Sequence, residues 1–219
     1  MHTKITVTQV GAVVLAGGRG MRMGGVDKGL QPFRGQPMVW HAVQRLQQQT
    51  LGKPALIGIN ANRNQDRYAQ ICTPVWPDDI DGFAGPLAGF LTALTHCQAH
   101  TSALEYLLTV PCDSPLFPLD LLQRMALALV QSNASIAVAS APEPDDDGAI
   151  RVRTQPVFCL MRTSLLPSLR DYVAGGGRKI DTWTQQQGQV TVAFDQAQDD
   201  ARAFFNANTL EQLQQLEQP

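Results

Sequence analysis

The sequence predicts one α/β domain over residues 1–219, Rossmann-like, with a mostly parallel sheet flanked by helices on both faces. Three observations carry that expectation. Strand-like and helix-like segments alternate from Val10 as far as Ser140. The apolar run Val13-Val14-Leu15-Ala16 stops abruptly at Gly17-Gly18, as a buried parallel strand does where its backbone must approach a ligand. No linker or internal repeat divides the 219 residues, and a hydrophobic content of 44% is enough for a full core.

The elements follow in order. Residues 10–15 form the first strand, and 37–49 a helix with Pro37 at a favourable first-turn position. Residues 55–60 are a second apolar strand, 63–71 a short helix and 74–76 a short strand. A helix over 86–96 opens behind Gly85, and 106–110 is a very apolar strand followed by a turn over 111–115. Residues 119–131 are amphipathic and 136–140 are another strand. The alternation then breaks. Residues 141–148, Ala-Pro-Glu-Pro-Asp-Asp-Asp-Gly, read as an exposed loop whose aspartates are solvated charge rather than a metal site. A strand over 156–161, helices over 164–173 and 178–187, a strand over 190–194 and a helix over 210–216 complete the chain.

Composition excludes several classes. A net charge of −2 argues against a dedicated nucleic-acid binder. The cysteines, at 72, 97, 112 and 159, form no Cys-x-x-Cys pair and read as buried thiols of a reducing compartment rather than zinc ligands. No secretory leader and no apolar stretch of roughly 20 residues is present, so a cytoplasmic protein without membrane contact is expected. His2, His41, His96 and His100 are scattered and carry no assigned chemistry.

The loop after the first strand is the most informative segment. Its glycines, with Arg19, Arg22 and Lys28, suit several phosphates, which points to a nucleoside triphosphate. Two better-known phosphate loops do not fit. Met23 occupies the third glycine position of the dinucleotide fingerprint, and Lys28 lies between Asp27 and Gly29 instead of the Gly and Ser/Thr of a P-loop.

Open α/β sheets bind ligands beyond the carboxyl ends of their strands, so residues just past each strand are the candidates. Asn60, in Asn60-Ala61-Asn62-Arg63, suits a base or ribose, or else caps a helix. Asp78 either accepts from a base edge or ribose hydroxyl, or belongs to a surface turn. Asp113, framed by Pro111 and Pro115, suits Mg²⁺ on a triphosphate, while neighbouring Cys112 reads as a buried thiol. Asn208 or Thr209 caps the last helix, and an asparagine there can also complete a cation's oxygen shell.

Leu15-Ala16-Gly17-Gly18, Arg22-Met23-Gly24 and Asp27-Lys28-Gly29 resemble the signature of sugar- and cofactor-nucleotidyltransferases. The more specific set Gly24-Gly25-Val26-Asp27-Lys28-Gly29-Leu30, Asn60-Ala61-Asn62-Arg63, Gly85-Pro86-Leu87-Ala88-Gly89, Pro111-Cys112-Asp113-Ser114-Pro115 and Asn206-Ala207-Asn208-Thr209 resembles the molybdenum cofactor guanylyltransferases, the MobA family. The resemblance spans most of the chain and keeps order and spacing. It implies transfer of GMP from Mg-GTP to the terminal phosphate of molybdenum-bearing molybdopterin, with pyrophosphate leaving. It also implies roles. Leu15, Ala16 and Gly17 would hold the nucleotide by their backbone. Lys28 would contact its phosphates, Asn60 and Asp78 would face the guanosine, and Asp113 would hold Mg²⁺ with Asn208 as a second ligand. Arg22 and Lys28 would supply neutralising charge with Asp113 as the catalytic set.

Arg178 and Lys179, behind Gly175-Gly176-Gly177, are the expected acceptor-binding residues, with Arg151, Arg153, Thr154 and Gln155 as further candidates. The nucleotide is thus assigned to the N-terminal half and the acceptor to the C-terminal half. Expected partners are GTP, molybdopterin, other cofactor-biosynthesis proteins and molybdoenzyme chaperones. Two rival readings share these residues: a cytidylyltransferase acting on a pterin or a sugar or polyol phosphate, and a non-catalytic GTP or cofactor carrier.

Overall fold

Strand β1 (Val10–Leu15) is buried at every position and pairs in parallel with a strand on each side. The structure, a computed structural model, describes residues 4–18, 26–80, 85–100, 104–145, 147–207 and 209–217. On one side of β1 lie β4 (Leu56–Asn60) and then β5 (Val75–Trp76), both parallel. On the other side lies β6 (Tyr106–Pro111), also parallel. Four carboxyl ends therefore open on one edge of the sheet.

Beyond β6 come β8 (Ile150–Arg162), β7 (Ile136–Pro144) and β9 (Val190–Ala193), giving the order β5-β4-β1-β6-β8-β7-β9. Only β8 is reversed, running antiparallel to both β6 and β7. A separate hairpin joins β2 (Pro32–Phe33) to β3 (Gln36–Pro37). Arg34 and Gly35 make its turn at φ 48 and 78, the positive pair that a two-residue turn of this hand requires.

Side-chain alternation along β1 divides the core. Val10, Ala12 and Val14 pack with α1 (Met38–Gln47), with Tyr68 of α2 (Gln65–Ala69) and with α4 (Leu121–Ser132). Val13 and Leu15 pack with α3 (Pro86–Ala99), α5 (Leu166–Ala174) and α6 (Ile180–Gln186). Both faces are covered, as a central parallel strand demands. The last helix, α7 (Leu210–Glu217), seats Leu213 and Leu216 against Phe33, Met38 and Ala207. No helix among the described residues is long and apolar enough to cross a membrane.

Three expectations are corrected. Residues 141–148 are not an exposed loop: β7 runs on to Pro144 and pairs with β8 from Ile150, leaving 145–149 as the turn. The prolines permit this because of their parity. The Ser140 carbonyl accepts from Phe194 N on the β9 side, so Pro142 and Pro144 turn their missing N–H groups the same way, past the end of β9. Asp145 is not solvated either. Its carboxylate accepts from Arg151 Nε at 2.7 Å and from the amides of Asp147 and Ala149. The first helix also starts later than expected, since Pro37 belongs to β3 and precedes α1.

Candidate nucleotide site

The carboxyl edge of β5-β4-β1-β6 carries most of the candidates, because the ladder continues past the strand ends. Ala16 N donates to the Asn60 carbonyl at 2.8 Å, and Cys112 N donates to the Leu15 carbonyl at 3.1 Å. Ala61 N donates to the Trp76 carbonyl at 2.9 Å. Pro77–Asp78, Asn60–Asn62, Leu15–Gly17 and Cys112–Asp113 thus stand side by side, in the order of the strands they follow.

The first cluster forms around Asp78. Asn60, buried to 2% exposure, donates from Nδ2 to the Trp76 carbonyl at 3.1 Å and to Asp78 Oδ1 at 2.9 Å. Asn62 Nδ2 donates to Asp78 Oδ2 at 2.7 Å, and Asp78 N returns a bond to Asn62 Oδ1 at 2.7 Å. Each carboxylate oxygen so takes one amide hydrogen, which sets the carboxylate plane and leaves acceptor capacity on both oxygens. Gly17 lies directly over this group: a β-carbon there would be 3.2 Å from Asn60 Oδ1 and from Asn62 Nδ2. Gly89 of α3 closes it from behind, where a β-carbon would be 2.5 Å from Asn60 Oδ1. The helix-capping alternative for Asn60 is excluded, since the residue preceding α2 is Asn64.

The second cluster lies at β6. Lys28 Nζ is 3.3 Å from Asp113 Oδ2, with both side chains about one-fifth exposed. Asp113 is anchored through its carbonyl, which accepts from Ala207 N at 3.0 Å, and Ser114 Oγ donates to Asn206 Oδ1 at 2.6 Å. Asn206 and Ala207 are thereby brought against the 113–114 turn. Cys112 is buried, and that burial first, then the carboxylates of Asp113 and Asp27, pushes its thiol well up, which disfavours the thiolate a nucleophile needs.

Among the described residues no group of three His, Cys, Asp or Glu gathers to hold a metal ion. A lone carboxylate at Asp113 instead fits a Mg²⁺ ion that takes its other oxygens from phosphates and water.

Arg22 and Asn208 lie outside the described residues. Thr209 caps α7, exchanging bonds of 3.2 Å with Gln212. Arg178 and Lys179 form the junction of α5 and α6, where Arg178 Nη1 donates to the Gly177 carbonyl at 2.8 Å and the Lys179 carbonyl accepts from the Tyr172 hydroxyl at 3.1 Å. Sequence reasoning missed three contributors: Asn62 as a clamp on Asp78, and Asn64 and Tyr68, which both donate to the Asp27 carboxylate. A signal was present, since asparagines recur at 60, 62 and 64 past a strand end.

Residues 12–190 match the family described as the MobA-like NTP transferase domain. A molybdenum cofactor guanylyltransferase from Acidovorax ebreus (strain TPSY) is 55% identical over 214 residues, 97% of each chain. One from Bordetella petrii is 50% identical over 97% of this chain and 99% of its own. In fold, the molybdopterin-guanine dinucleotide biosynthesis protein A of Archaeoglobus fulgidus superposes with a TM-score of 0.69 at 16% identity, covering 94% of this chain and 96% of that one. The 4-diphosphocytidyl-2C-methyl-D-erythritol synthase of Anaerococcus prevotii does so with 0.65 at 10% identity, over 95% and 96%. Those last two likenesses are of fold alone.

Proposed function

The chain belongs to the MobA-like NTP transferase family, and on that premise we propose that it transfers GMP from GTP to the terminal phosphate of molybdenum-bearing molybdopterin. An acceptor phosphate oxygen forms a bond to the α-phosphorus, the bond from that phosphorus to the bridging oxygen breaks, and pyrophosphate leaves. The attacking phosphate is already ionised near neutral pH, so no general base is required. The tasks left to the protein are to align the two phosphates and to offset their charge.

The observation that carries the reading is the pairing of an Asp78 clamp with a Lys28–Asp113 pair along one sheet edge. The β5 and β6 ends are three strand spacings apart, each about 4.8 Å. That span suits a nucleotide laid across the end of β1, its base at Asp78 and its phosphates at Lys28. Guanine offers N1–H and N2–H side by side, which matches the two remaining acceptor positions of Asp78. Cytosine and adenine present a bare ring nitrogen there instead. Asn60 lines the same subsite, and Leu15, Ala16 and Gly17 lend it their backbone.

Lys28 donates to the phosphates, and Arg22 adds charge from the glycine loop. Asp113 would hold Mg²⁺ with Asn208 as second ligand; once bound, the ion offsets charge on the triphosphate and on the departing pyrophosphate. Arg178 and Lys179 bind the acceptor from the C-terminal half, and the work takes place in the cytoplasm.

The deciding experiment supplies the protein with Mg²⁺, the molybdenum-loaded pterin and GTP, CTP or ATP in turn, and measures pyrophosphate release. Release with GTP above the others is expected. Preference for CTP would overturn the base assignment, and GTP binding without turnover would make the protein a carrier.

A further inference from the structure

The residue before Lys28 carries the opposite charge, and a neighbouring carboxylate is a natural competitor for the ammonium. In this protein both oxygens of that carboxylate are occupied, one from α2 and one from the residue that precedes it. Asp27 Oδ1 accepts from the Tyr68 hydroxyl, and Oδ2 accepts from Asn64 Nδ2 at 2.9 Å. The Asp27 carbonyl is also bonded, accepting from Leu30 N at 3.2 Å and Gln31 Nε2 at 3.0 Å.

The residue after Lys28 meets the same tyrosine. A β-carbon at Gly29 would lie 2.6 Å from the Tyr68 hydroxyl and 3.3 Å from Cys112 Sγ. Tyr68 therefore touches the residues on both sides of Lys28. It is wholly buried, packed in the core with Leu30 and Cys112. Burial first, then Cys112 and Asp27, pushes its phenol upward, so it remains a donor.

We propose that Tyr68 is a positioning residue for Lys28: by engaging Asp27 and seating Gly29 it keeps the ammonium directed at Asp113 and the nucleotide phosphates. The proposal rests on the reading of Lys28 as a phosphate contact. Loss of the hydroxyl leaves Asp27 Oδ1 open to its neighbour's ammonium, and the phosphates then compete with a carboxylate for that charge.

Tyr68→Phe keeps the buried ring and removes the hydroxyl alone. In the full-length protein with Mg²⁺, its affinity for GTP and its kcat/KM should fall about ten-fold, the loss of one hydrogen bond to a charged group. Affinity for guanosine, which has no phosphate, should stay within about two-fold of the unmodified protein. A merely structural role would weaken both ligands together, and that result, or no loss for either, overturns the proposal.

Asn64→Gly gives an independent reading if Tyr68→Phe does not fold. Asn64 is exposed and has φ 50, which glycine adopts freely, so the change removes the donor to Oδ2 without strain. It should show the same selective loss, about three-fold, and its absence in a folded protein also overturns the proposal. Lys28→Ala separates the two levels. If Lys28→Ala binds GTP undiminished, the phosphate assignment itself is at fault. If it weakens GTP while the Tyr68 and Asn64 variants leave GTP unchanged, only the positioning role is wrong.

Discussion

Lys28 and Asn62 make opposite demands on a test, because one acts on charge and the other on shape. Lys28→Ala removes the ammonium facing Asp113 at 3.3 Å. Turnover should drop by about 10²–10³, the scale of losing one electrostatic contact to a reacting group. Stability should fall by only about 1 kcal/mol, since the side chain adds little to the core. Steady-state pyrophosphate release and a thermal melt read the two quantities separately. Asn62→Ala removes the hydrogen bond to Asp78 Oδ2 and frees that carboxylate to rotate. The informative comparison is GTP against ITP, whose base lacks only the N2 amino group. The unmodified protein should prefer GTP by about ten-fold, and the variant's preference should shrink by about five-fold. An unchanged ratio would show that Asn62 does not steer the base. Asp78 and Asp113 were legible as candidates because each stands just past a strand end close to a proline, and Lys28 because it lies in the basic, glycine-rich loop that follows β1. Asn62 and Tyr68 were not. Their roles depend on how β4, β5 and the loop before Lys28 come together, contacts separated by 16 and 41 residues in sequence.

Helix α3 braces the candidate site from behind, through a glycine packed against Asn60 and Leu15. Gly89 lies where a β-carbon would meet Asn60 Oδ1 at 2.5 Å and Leu15 Cδ2 at 2.7 Å. Alanine in a helix interior gains about 1 kcal/mol over glycine, whereas overpacking of this kind costs about 1–3 kcal/mol. The clash should win, because Asn60 is held by the Trp76 carbonyl and by Asp78 and has little room to retreat. Gly89→Ala is therefore expected to lower the melting temperature and weaken GTP binding together; a more stable protein with unchanged affinity would refute this. The strands buried at every position, β1 and β6, were readable because burial on both faces favours near-continuous apolar runs, interrupted in β6 only by Thr109, whose hydroxyl donates to the Val157 carbonyl. The reversal of β8 was harder to see, since the prolines and aspartates between the two strands read as a loop in their own right. The link over 145–149 is nevertheless too short for a parallel crossover, which needs a dozen or more residues, and its Asp147-Gly148 pair is turn chemistry.

Across the whole molecule, the candidate nucleotide site draws on β1, β4, β6 and the segment after β5, braced by α2 and α3, while β8, β7 and β9 form the other half of the sheet. The last β6–β8 pair is Thr109 with Cys159, yet β8 begins at Ile150, so the β7–β8 ribbon reaches past the same edge that carries Lys28 and Asp113. Ile150 and Val152 on it are 66% and 56% exposed. A two-stranded ribbon without further cover is only marginally stable, so its amides should exchange quickly in the free protein. This makes the division between nucleotide and acceptor halves measurable by hydrogen exchange. Saturating Mg-GTP should slow residues 16–18, 60–62, 78–79 and 112–114 and leave 150–155 unaffected. At a hundred times its dissociation constant it should also add about 2.7 kcal/mol to global stability. Addition of the pterin acceptor should then slow the ribbon or the α5–α6 junction at Arg178 and Lys179. Protection of 150–155 by GTP alone, as strong as that at 60–62, would mean that the nucleotide itself spans both halves and that the acceptor must enter elsewhere.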